Sequence, residues 1–533
     1  MKRHIILSLL LASIYFITWM VLAFPYRLFP SNDDYFYSFV ADANIRSVIS
    51  NIVNSYHPVT LFSLTISKMI WGLVSNDMLS TLLFHAVASN FIVIFLLGII
   101  VFMITRNTLA VVMALILYAT SGWPANYYFF YSYAPFAAML SLLALFFILK
   151  AYVTLEKRDF FIAVSGIISG LYFWSYPGAM AMVGLYFLSF LYLFQPISQR
   201  DYRRSTFIYL IVFICTIAPF TVHSTGGLIS YIGDNFSSFT SISELVKPIT
   251  KSGHIVKTPF FSFFHILWVY NPILLISFFI VSILFIAGII IKKRTLQEKI
   301  IFSAQDKILF SLMAIVWLHS LIIDILPFTK LGRAHLVVYP IFVIVTVGMF
   351  YFLIPRLSYR YRRYLYLTSS ILFILIIFVN IKFCSELIRV KQYIPRYLKS
   401  HLPQAQLYIS EEDSHADYIM AWLEDFRIQK IKKSELDSVL LKDKKGTLII
   451  GPNGIGSGLS ILSNACLDDF FIEDLNTHPA LKKMKKIALP YFAYFPSFLL
   501  EEETCEALYF FGRRVNYKSD SKNITLFAWG DEK

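Results

Sequence analysis

The run IILSLLLASIYFITWMVLAF at residues 5–24 is followed, after a short interval, by PSNDDYFY at residues 30–37. An apolar run of this length matches the hydrocarbon thickness of a bilayer, so we predict a transmembrane helix that ends just before Asp33 and Asp34. The bulky segment Phe24-Pro25-Tyr26-Arg27 offers no small-residue cleavage site, which favours a retained helix over a signal peptide. Carboxylates at the boundary between water and lipid are costly unless they are paired or used. The acidic pair is therefore the first candidate for function.

The composition of the whole chain is that of a membrane protein. Of 533 residues, 57% are hydrophobic and only 15% are charged, and the mean hydropathy is +0.64. A soluble protein of this length needs far more charge to cover its surface. The net charge of +14 arises mostly from Lys and Arg in short loops between apolar segments, which is the positive-inside pattern. This pattern explains the basic charge without nucleic acid as a partner.

The apolar runs predict an α-helical polytopic membrane protein with about eleven transmembrane helices. The predicted spans lie at about residues 5–24, 79–104, 108–121, 133–153, 160–175, 177–194, 205–222, 264–291, 308–326, 336–354 and 365–383. The basic loops share one side when the N-terminus is cytoplasmic, and an odd number of spans then places the C-terminus outside.

Two long loops are predicted outside, at about residues 25–78 and 223–263. The first contains the amphipathic stretches Ala41–Asn54 and Leu61–Trp71, which suit helices lying on the membrane surface. The second is rich in Gly, Ser and Thr, and we interpret it as a candidate mobile lid. A catalytic site that opens outward would lie between them.

The composition changes after residue 383, which divides the chain into a transmembrane domain (1–383) and a small extracytoplasmic α/β domain (384–533). Hydrophobic patterning in the second domain predicts three strands and one helix. These are the strands Ala405–Ser410, Gly446–Ile450 and Asn523–Trp529, and the helix Ala416–Phe426. Cys466 and Cys505 both fall in this domain, where a disulfide and two free thiols are equally compatible with the sequence.

Three short motifs in the predicted outside loops contain residues suited to catalysis or phosphate binding. Asp33 and Asp34 suit a general base, although a Ser-Asn-Asp-Asp run also suits a helix cap. His57 precedes Pro58, a pattern that fits either a helix start or a hydrogen bond to phosphate. In the stretch KLGRAHLVVYP at residues 330–340, Arg333 suits either a snorkelling side chain or a bidentate phosphate clamp.

Together these motifs resemble the GT-C class of glycosyltransferases. The likeness lies in the acidic pair after the first span, His57-Pro58 before the second, and the basic stretch that ends in Tyr339-Pro340. The stretch SGIISGL at residues 165–171 also resembles the bacterial branch related to protein O-mannosyltransferases and aminoarabinose transferases. The resemblance covers most of residues 1–383.

The resemblance implies a sugar donor linked to polyprenyl phosphate and an acceptor outside the cytoplasm, namely lipid A, a polysaccharide or a protein. It assigns the catalytic base to Asp33, with Asp34 standing where a Glu is more common, so that either acid remains a candidate. It places His57, Arg333, His335 and Tyr339 among the substrate-binding residues, with His57 and Arg333 near the lipid phosphate. By analogy with single-displacement glycosyl transfer, the reaction is expected to invert the anomeric centre.

A divalent metal ion is a further expectation, because some relatives use one to hold the phosphate. Asp33 or Asp34 could be a ligand, and Asp234 and Glu244 in the second long loop are the other acids that we name there. The sequence shows no second ligand cluster.

Two alternatives belong to other functional classes. A transporter or flippase of lipid-linked sugars predicts charged or broken helices near the membrane midplane, whereas Asp324 is the single acid within the predicted spans. A non-catalytic scaffold predicts that Asp33 and Asp34 are dispensable. We therefore expect an integral protein of the bacterial plasma membrane, with a cytoplasmic N-terminus and a glycosyltransferase activity.

Overall fold

The computed structural model describes most of the helical part of the chain and the strands of the C-terminal part. The described residues are 2–24, 58–75, 78–126, 128, 134–154, 156–175, 179–195, 198–223, 249–251, 254–256, 263–264, 267–268, 271–296, 303–325, 335–353, 364, 366–382, 384–385, 406–410, 427–435, 438, 446–450, 485–490 and 523–529. All structural statements below refer to these residues.

Helices dominate the first part of the chain. They are α1 (Lys2–Ala23), α2 (Pro58–Trp71), α3 (Met78–Thr105), α4 (Thr108–Ala119), α5 (Gly122–Asn126), α6 (Ala134–Val153), α7 (Arg158–Phe173), α8 (Ala179–Phe194), α9 (Gln199–His223), α10 (Pro272–Leu296), α11 (Ala304–Ile325), α12 (Tyr339–Leu353) and α13 (Tyr366–Lys382). Among the residues that the structure describes, six segments are long and apolar enough to cross a membrane, and three shorter apolar helices accompany them. Each of the predicted spans overlaps one of these helices, while the number of crossings stays a prediction.

Successive long helices run between two ends of the bundle. At one end, His4 at the start of α1 stacks on Phe102 near the end of α3, with ring centroids 3.8 Å apart. At the other end, Trp19 of α1 lies 5.2 Å from the ring of Tyr128, which follows α5. The second end, called the α1-exit end below, is the one that the loop charges predict to be outside.

Local capping defines where two helices begin, and at one of them the predicted boundary is wrong. The span predicted at 264–291 overlaps α10, which begins at Pro272, where the Asn271 side chain accepts from the Leu274 backbone N–H (3.0 Å) and caps the helix. Residues 263–264 and 267–268, at the start of the predicted span, are also helical. The span predicted at 205–222 belongs to a helix that already begins at Gln199. Here the Asp201 N–H donates to Ser198 Oγ (3.2 Å), so that basic residues expected in a loop lie in the first turns of α9.

The predicted surface helix at Leu61–Trp71 is observed as α2, which has a buried face. Pro58, Val59, Leu61 and Leu64 are buried. Thr60 donates from Oγ1 to the Ser175 carbonyl oxygen (2.9 Å) at the end of α7. This helix is thus fixed to the bundle, whereas the stretch Ala41–Asn54 lies outside the described residues.

Helices α7 and α9 pack closely along the stretch SGIISGL. A Cβ added at Gly166 would lie 3.0 Å from the Tyr209 carbonyl oxygen, and one added at Gly170 would lie 2.7 Å from Thr216 Cβ. Small residues allow this approach of two backbones, which is a common way to join helices in membranes. We call the contact of Gly166 and Gly170 with α9 the glycine seam.

The C-terminal part contains one five-stranded sheet. Its strands are β3 (Gln406–Ser410), β4 (Ile428–Ile431), β5 (Gly446–Ile450), β6 (Lys485–Pro490) and β7 (Asn523–Trp529), which follow the pair β1 (Ile249–Lys251) and β2 (His254–Val256). The strand order is β4-β3-β5-β7-β6, with β3 parallel to both neighbours and β7 antiparallel to both of its own. The three predicted strands are confirmed, β4 and β6 were missed, and the predicted helix Ala416–Phe426 lies outside the described residues.

Strands β1 and β2 form an antiparallel pair in which Thr250 lies opposite Ile255. The pair lies within the second long loop predicted outside, at about residues 223–263. It is the part of residues 224–262 that the structure describes.

Candidate active site

The predicted site residues fall into two groups. Asp33, Asp34, His57 and Arg333 lie outside the described residues, as do Asp234 and Glu244. His335 and Tyr339 are described. Tyr339 begins α12 and His335 lies four residues before it, at the α1-exit end of the bundle.

His335 and Tyr339 are buried inside the helical body. His335 is 0% exposed and Tyr339 is 2% exposed. The Tyr339 ring lies 5.1 Å from the Trp123 ring of α5 and 5.6 Å from the Tyr118 ring of α4, measured between centroids. These contacts hold the start of α12 against α4 and α5, so both residues can position the segment that precedes them.

A second histidine lies beside His335. The His319 ring of α11 is 5.4 Å from the His335 ring, edge to face, and the Phe263 ring is 5.8 Å from His335. Phe263 also lies 5.8 Å from Trp123, which connects the histidines to Tyr339. We call Trp123, Phe263, His319, His335 and Tyr339 the aromatic–histidine cluster.

Hydrogen bonds hold residues next to this cluster in place. Tyr118 donates from its hydroxyl to Asn90 Oδ1 of α3 (2.7 Å), inside the protein. The hydroxyls of Tyr15 in α1 and Tyr128 are hydrogen-bonded to each other. Burial raises the pKa of Tyr128 well above its ordinary value of 10.0, so this phenol stays neutral at physiological pH.

Helix α2 is hydrogen-bonded to α3 near the α1-exit end of the bundle. Ser63 Oγ and His85 Nε2 of α3 are 2.9 Å apart, and the His85 ring lies 5.2 Å from the Phe136 ring of α6. One turn along α6, Ser141 donates from Oγ to the Val337 carbonyl oxygen (3.5 Å), just before α12. Helix α6 therefore connects the segment after His57 to the segment after Arg333.

Three further residues, Asn90, His85 and His319, were not predicted from the sequence. All three are buried polar side chains inside predicted spans. The signal that could have found them is the presence of a polar or ionisable residue in an apolar run, since such residues are costly in a membrane. The cost applies to Asn and His as well as to the acids.

An apolar groove of about 820 Å³ runs along the bundle between α4, α10, α12 and α13. Leu117, Leu274 and Ile376 line it toward the α1-exit end, and Gly288 and Leu353 line it toward the opposite end. Near the α1-exit end of the groove, the Asn271 amide donates to Asn380 Oδ1 (2.8 Å), and the Asn380 amide donates to the Leu117 carbonyl oxygen (3.4 Å).

Within the described ranges, no group of three or more His, Cys, Asp or Glu side chains could hold a metal ion. The acids named as candidate ligands lie in the segments that the structure does not describe.

The fold resembles solved membrane glycosyltransferase structures. ArnT from Cupriavidus metallidurans in the apo state aligns over 97% of both chains, with 10% identity and a TM-score of 0.51. The same protein bound to undecaprenyl phosphate aligns over the same shares with a TM-score of 0.50.

The archaeal oligosaccharyltransferase AglB from Archaeoglobus fulgidus, in complex with an inhibitory peptide and a dolichol-phosphate, aligns with 11% identity and a TM-score of 0.50. The alignment covers 77% of the present chain and 63% of AglB. No protein-family model matches the sequence, and no similar sequence was found among curated proteins. At these identities the likeness shows the fold alone, and it confirms the predicted GT-C architecture at that level.

Proposed function

We propose that the chain is a GT-C-type glycosyltransferase that moves a sugar from a polyprenyl-phosphate carrier to an acceptor outside the cytoplasm. The observation that carries the proposal is the fold shared with ArnT along 97% of both chains, with one ArnT structure bound to undecaprenyl phosphate. Because a fold does not specify a function, the proposal also rests on features of this chain's own bundle.

The apolar groove supports a polyprenyl donor. From Leu274 to Gly288 it follows α10 for about 21 Å at the usual helical rise, which is a large part of the bilayer's hydrocarbon thickness. Its wall includes Ile280 and Leu284, which are half exposed on the surface of the bundle. An isoprenoid chain can therefore enter the groove sideways from the lipid.

The groove ends beside the aromatic–histidine cluster. Leu117 lines the groove, and the next residue, Tyr118, packs its ring on Tyr339. Arg333 is two residues from His335 in the chain, and a stretch of two residues spans at most about 7 Å. A tail in the groove would thus bring its phosphate toward Arg333, whose guanidinium suits bidentate binding of phosphate.

The proposed reaction is a single displacement. The carboxylate of Asp33 or Asp34 removes the proton from an acceptor hydroxyl or amine, and the acceptor atom forms a bond to the anomeric carbon. The bond from that carbon to the phosphate oxygen breaks, and its electron pair leaves with the polyprenyl phosphate. Arg333 and His57 stabilise the charge that develops there, so no general acid is required. Attack from the opposite face inverts the anomeric centre.

In this proposal the protein lies in the bacterial plasma membrane with its N-terminus in the cytoplasm. The basic loops at one end of the bundle support that orientation. The acceptor is lipid A, a polysaccharide or a protein, and the C-terminal sheet belongs to the domain that would help to select it.

The test is transfer or donor hydrolysis by purified protein given undecaprenyl-phosphate-linked sugars. We expect the double variant Asp33→Asn/Asp34→Asn to lose about 10²–10⁴-fold in kcat, the usual contribution of a positioned base, while it remains folded. Asp201→Asn is the matched control, because this acid accepts from Ser198 Oγ (2.7 Å) at the start of α9, at the opposite end of the bundle.

No transfer or hydrolysis by the wild type with any of these donors would reject the proposed function. Full activity of the double variant would reject the proposed base while leaving glycosyl transfer in place.

A further inference from the structure

An open cavity of about 430 Å³ lies between the starts of α7 and α9, at the end of the bundle opposite the α1-exit end. Three basic side chains, Lys157, Arg158 and Arg204, are among those that line it. The apolar spans predicted at 160–175 and 205–222 begin directly after these residues, so the cavity lies where the protein leaves the hydrocarbon of the bilayer. The proposed glycosyl transfer takes place at the other end and does not use this cavity.

Two parallel helices begin side by side at the cavity. Arg204 Nη2 and Asp159 Oδ2 join the first turns of α9 and α7 at 2.6 Å, and Trp174 Nε1, just after α7, donates to the Ile217 carbonyl oxygen of α9 (3.2 Å). The positive ends of both helix dipoles therefore lie at the same cavity. Lys157, which precedes α7, provides no side-chain cap for the first backbone N–H groups. This arrangement favours an anionic ligand.

The basic side chains have hydrogen-bonding capacity to spare. The Arg158 guanidinium carbon lies 5.9 Å from the centroid of the Phe194 ring of α8, and the Arg158 Nε has no hydrogen-bond partner among the described residues. The Arg204 side chain is 68% exposed, and an exposed ion pair such as the one it forms with Asp159 is weak. Because a guanidinium has five N–H groups, Arg204 can bind an anion and keep that contact.

The acids at the cavity do not cancel its positive charge. Asp159 is paired with Arg204, and Asp201 accepts from Ser198 Oγ (2.7 Å) within the cap of α9. The segments around the cavity contain five basic and three acidic residues, namely Lys157, Arg158, Arg200, Arg203 and Arg204 against Glu156, Asp159 and Asp201. The charge balance thus agrees with the helix dipoles in favouring an anion.

An exposed apolar surface continues from the cavity along the bundle. Phe160, which also lines the cavity, is 62% exposed. On α9, Phe207, Ile211 and Ile214 are exposed and share a helix face with Arg204, since they follow it by three, seven and ten residues. A ligand that contacts both regions needs an anionic head and apolar chains, whereas a soluble anion would leave the apolar surface unused.

We infer that this cavity binds the head group of an anionic phospholipid. Its phosphate accepts hydrogen bonds from Lys157, Arg158 and Arg204 at the start of α7 and α9, and its acyl chains lie along Phe160 and Phe207. Basic pockets between transmembrane helices on the cytoplasmic side are known to bind anionic head groups, and the loop charges predict that this end is cytoplasmic. The bound lipid joins the starts of the two helices that pack at the glycine seam.

The test compares phosphatidylglycerol with phosphatidylcholine of the same acyl chains. Each lipid is added to the purified full-length protein in a neutral detergent, and the melting temperature is followed as the lipid concentration rises. We expect phosphatidylglycerol to raise the melting temperature and phosphatidylcholine to leave it unchanged. A neutral micelle has no surface potential of its own, so only residues that contact the head group contribute to the difference.

The variant Lys157→Gln/Arg158→Gln removes two of the proposed ligands. We expect its affinity for phosphatidylglycerol to fall about 25-fold, because charge-assisted hydrogen bonds to phosphate are lost. Lys157 is exposed, so Lys157→Gln alone should fold even where the double variant does not accumulate, and we expect it to lose affinity about fivefold.

Arg200→Gln/Arg203→Gln is the matched control. It removes the same charge from the start of α9, but neither arginine is among the described residues that line the cavity. The inference requires that this variant keeps the wild-type affinity for phosphatidylglycerol.

Three results would overturn the inference. Equal stabilisation by the two lipids would show that the head-group charge is not recognised, and equal losses in the cavity variant and its control would show that the cavity is not the site. Inorganic phosphate is the third probe, and a shift as large as that of phosphatidylglycerol would identify a soluble anion as the ligand. Because no sugar donor is present, these results are independent of the proposed glycosyl transfer.

Discussion

The glycine seam and the aromatic–histidine cluster are both buried helix contacts, but their polar atoms differ. In the seam, Tyr209 donates from its hydroxyl to Ser169 Oγ (2.8 Å), and Thr216 donates from Oγ1 to the Val212 carbonyl oxygen (2.8 Å). Ser165 donates to the Ala144 carbonyl oxygen (3.1 Å) on the other side of α7. In the cluster, both nitrogens of His319 are unpaired within the described residues.

Whether the buried polar atoms are hydrogen-bonded distinguishes a contact that only packs two helices from one that can bind a ligand. A helix contact that serves only stability can combine close backbones with paired polar groups, as the hydroxyls of Ser165, Tyr209 and Thr216 show at the seam. In a binding site, by contrast, some polar atoms stay without hydrogen bonds until the ligand binds, and the unliganded protein is less stable for that reason. Substitutions in the seam should therefore change stability more than activity, and substitutions in the cluster should do the reverse.

The largest expected effect is that of Gly170→Ala in the seam. The new Cβ would lie 2.7 Å from Thr216 Cβ, so α7 and α9 must separate. We expect a loss of about 3 kcal/mol in the free energy of unfolding, at the upper end of the usual cost of overpacking. The measurement is unfolding of the purified protein in detergent, combined with transfer activity per folded molecule.

Gly184→Ala is the control for that substitution, because nothing lies within 4 Å of a Cβ at this exposed position of α8. Its stability should stay at the wild-type value or rise slightly. Normal stability of Gly170→Ala, or a loss of activity per folded molecule, would contradict the role of the seam as packing alone.

A smaller effect is expected for Tyr118→Phe, next to the cluster. The change leaves Asn90 Oδ1 without its donor from α4, and interhelical hydrogen bonds in membranes are worth about 0.6 kcal/mol on average. We expect a loss of about 1 kcal/mol in stability, accompanied by a fall in transfer, because Tyr118 supports the Tyr339 ring.

A double-mutant cycle with Asn90→Leu isolates the hydrogen bond, since the second change should cost less once the first is made. If Tyr118→Phe lowers stability but transfer stays at the wild-type rate, the cluster is a packing contact like the seam.

The smallest expected effect is that of Gly288→Phe in the apolar groove. An added Cβ would be in ordinary contact with Leu353 Cδ2 at 3.8 Å, so the fold should tolerate it while the ring fills part of the groove. Burial of one methylene of a lipid chain is worth about 0.8 kcal/mol, so displacing one should raise the KM for the donor about fourfold. Donors of different tail lengths provide the check, and an identical KM for wild type and variant with each of them would show that the tail lies elsewhere.

Much of the helical architecture could be predicted because apolar length is a local property. Each predicted span overlaps an observed helix, and Gly446–Ile450 and Asn523–Trp529 are strands with the predicted bounds. The error at the start of α9 arose because Ser198, the residue that caps it, had been interpreted as part of a loop. Strand β6 was missed because only its pairing with β7, distant in sequence, gives it a place in the sheet.

Less of the candidate site could be predicted. His335 and Tyr339 were identified from a resemblance, and the structure places Tyr339 at the start of α12 and His335 just before it, both buried. The neighbour of His335 is His319, and nothing in the apolar run around His319 indicates that pairing. Asp33, Asp34, His57 and Arg333 stay predictions from the sequence.

By itself the sequence determined that this chain is an integral membrane protein, with polar motifs in the loops at one end of its helices, because hydrophobicity and loop charge act residue by residue along the chain. Only the tertiary structure decided which helices meet. It joined α11 to the segment just before α12 through two histidines, and it brought α7 close to α9 through two glycines. It also left an apolar groove between α4, α10, α12 and α13 that ends beside Tyr118. The physical reason is that unpaired polar atoms and close backbone approaches are properties of pairs of helices, and they exist only once the helices have packed.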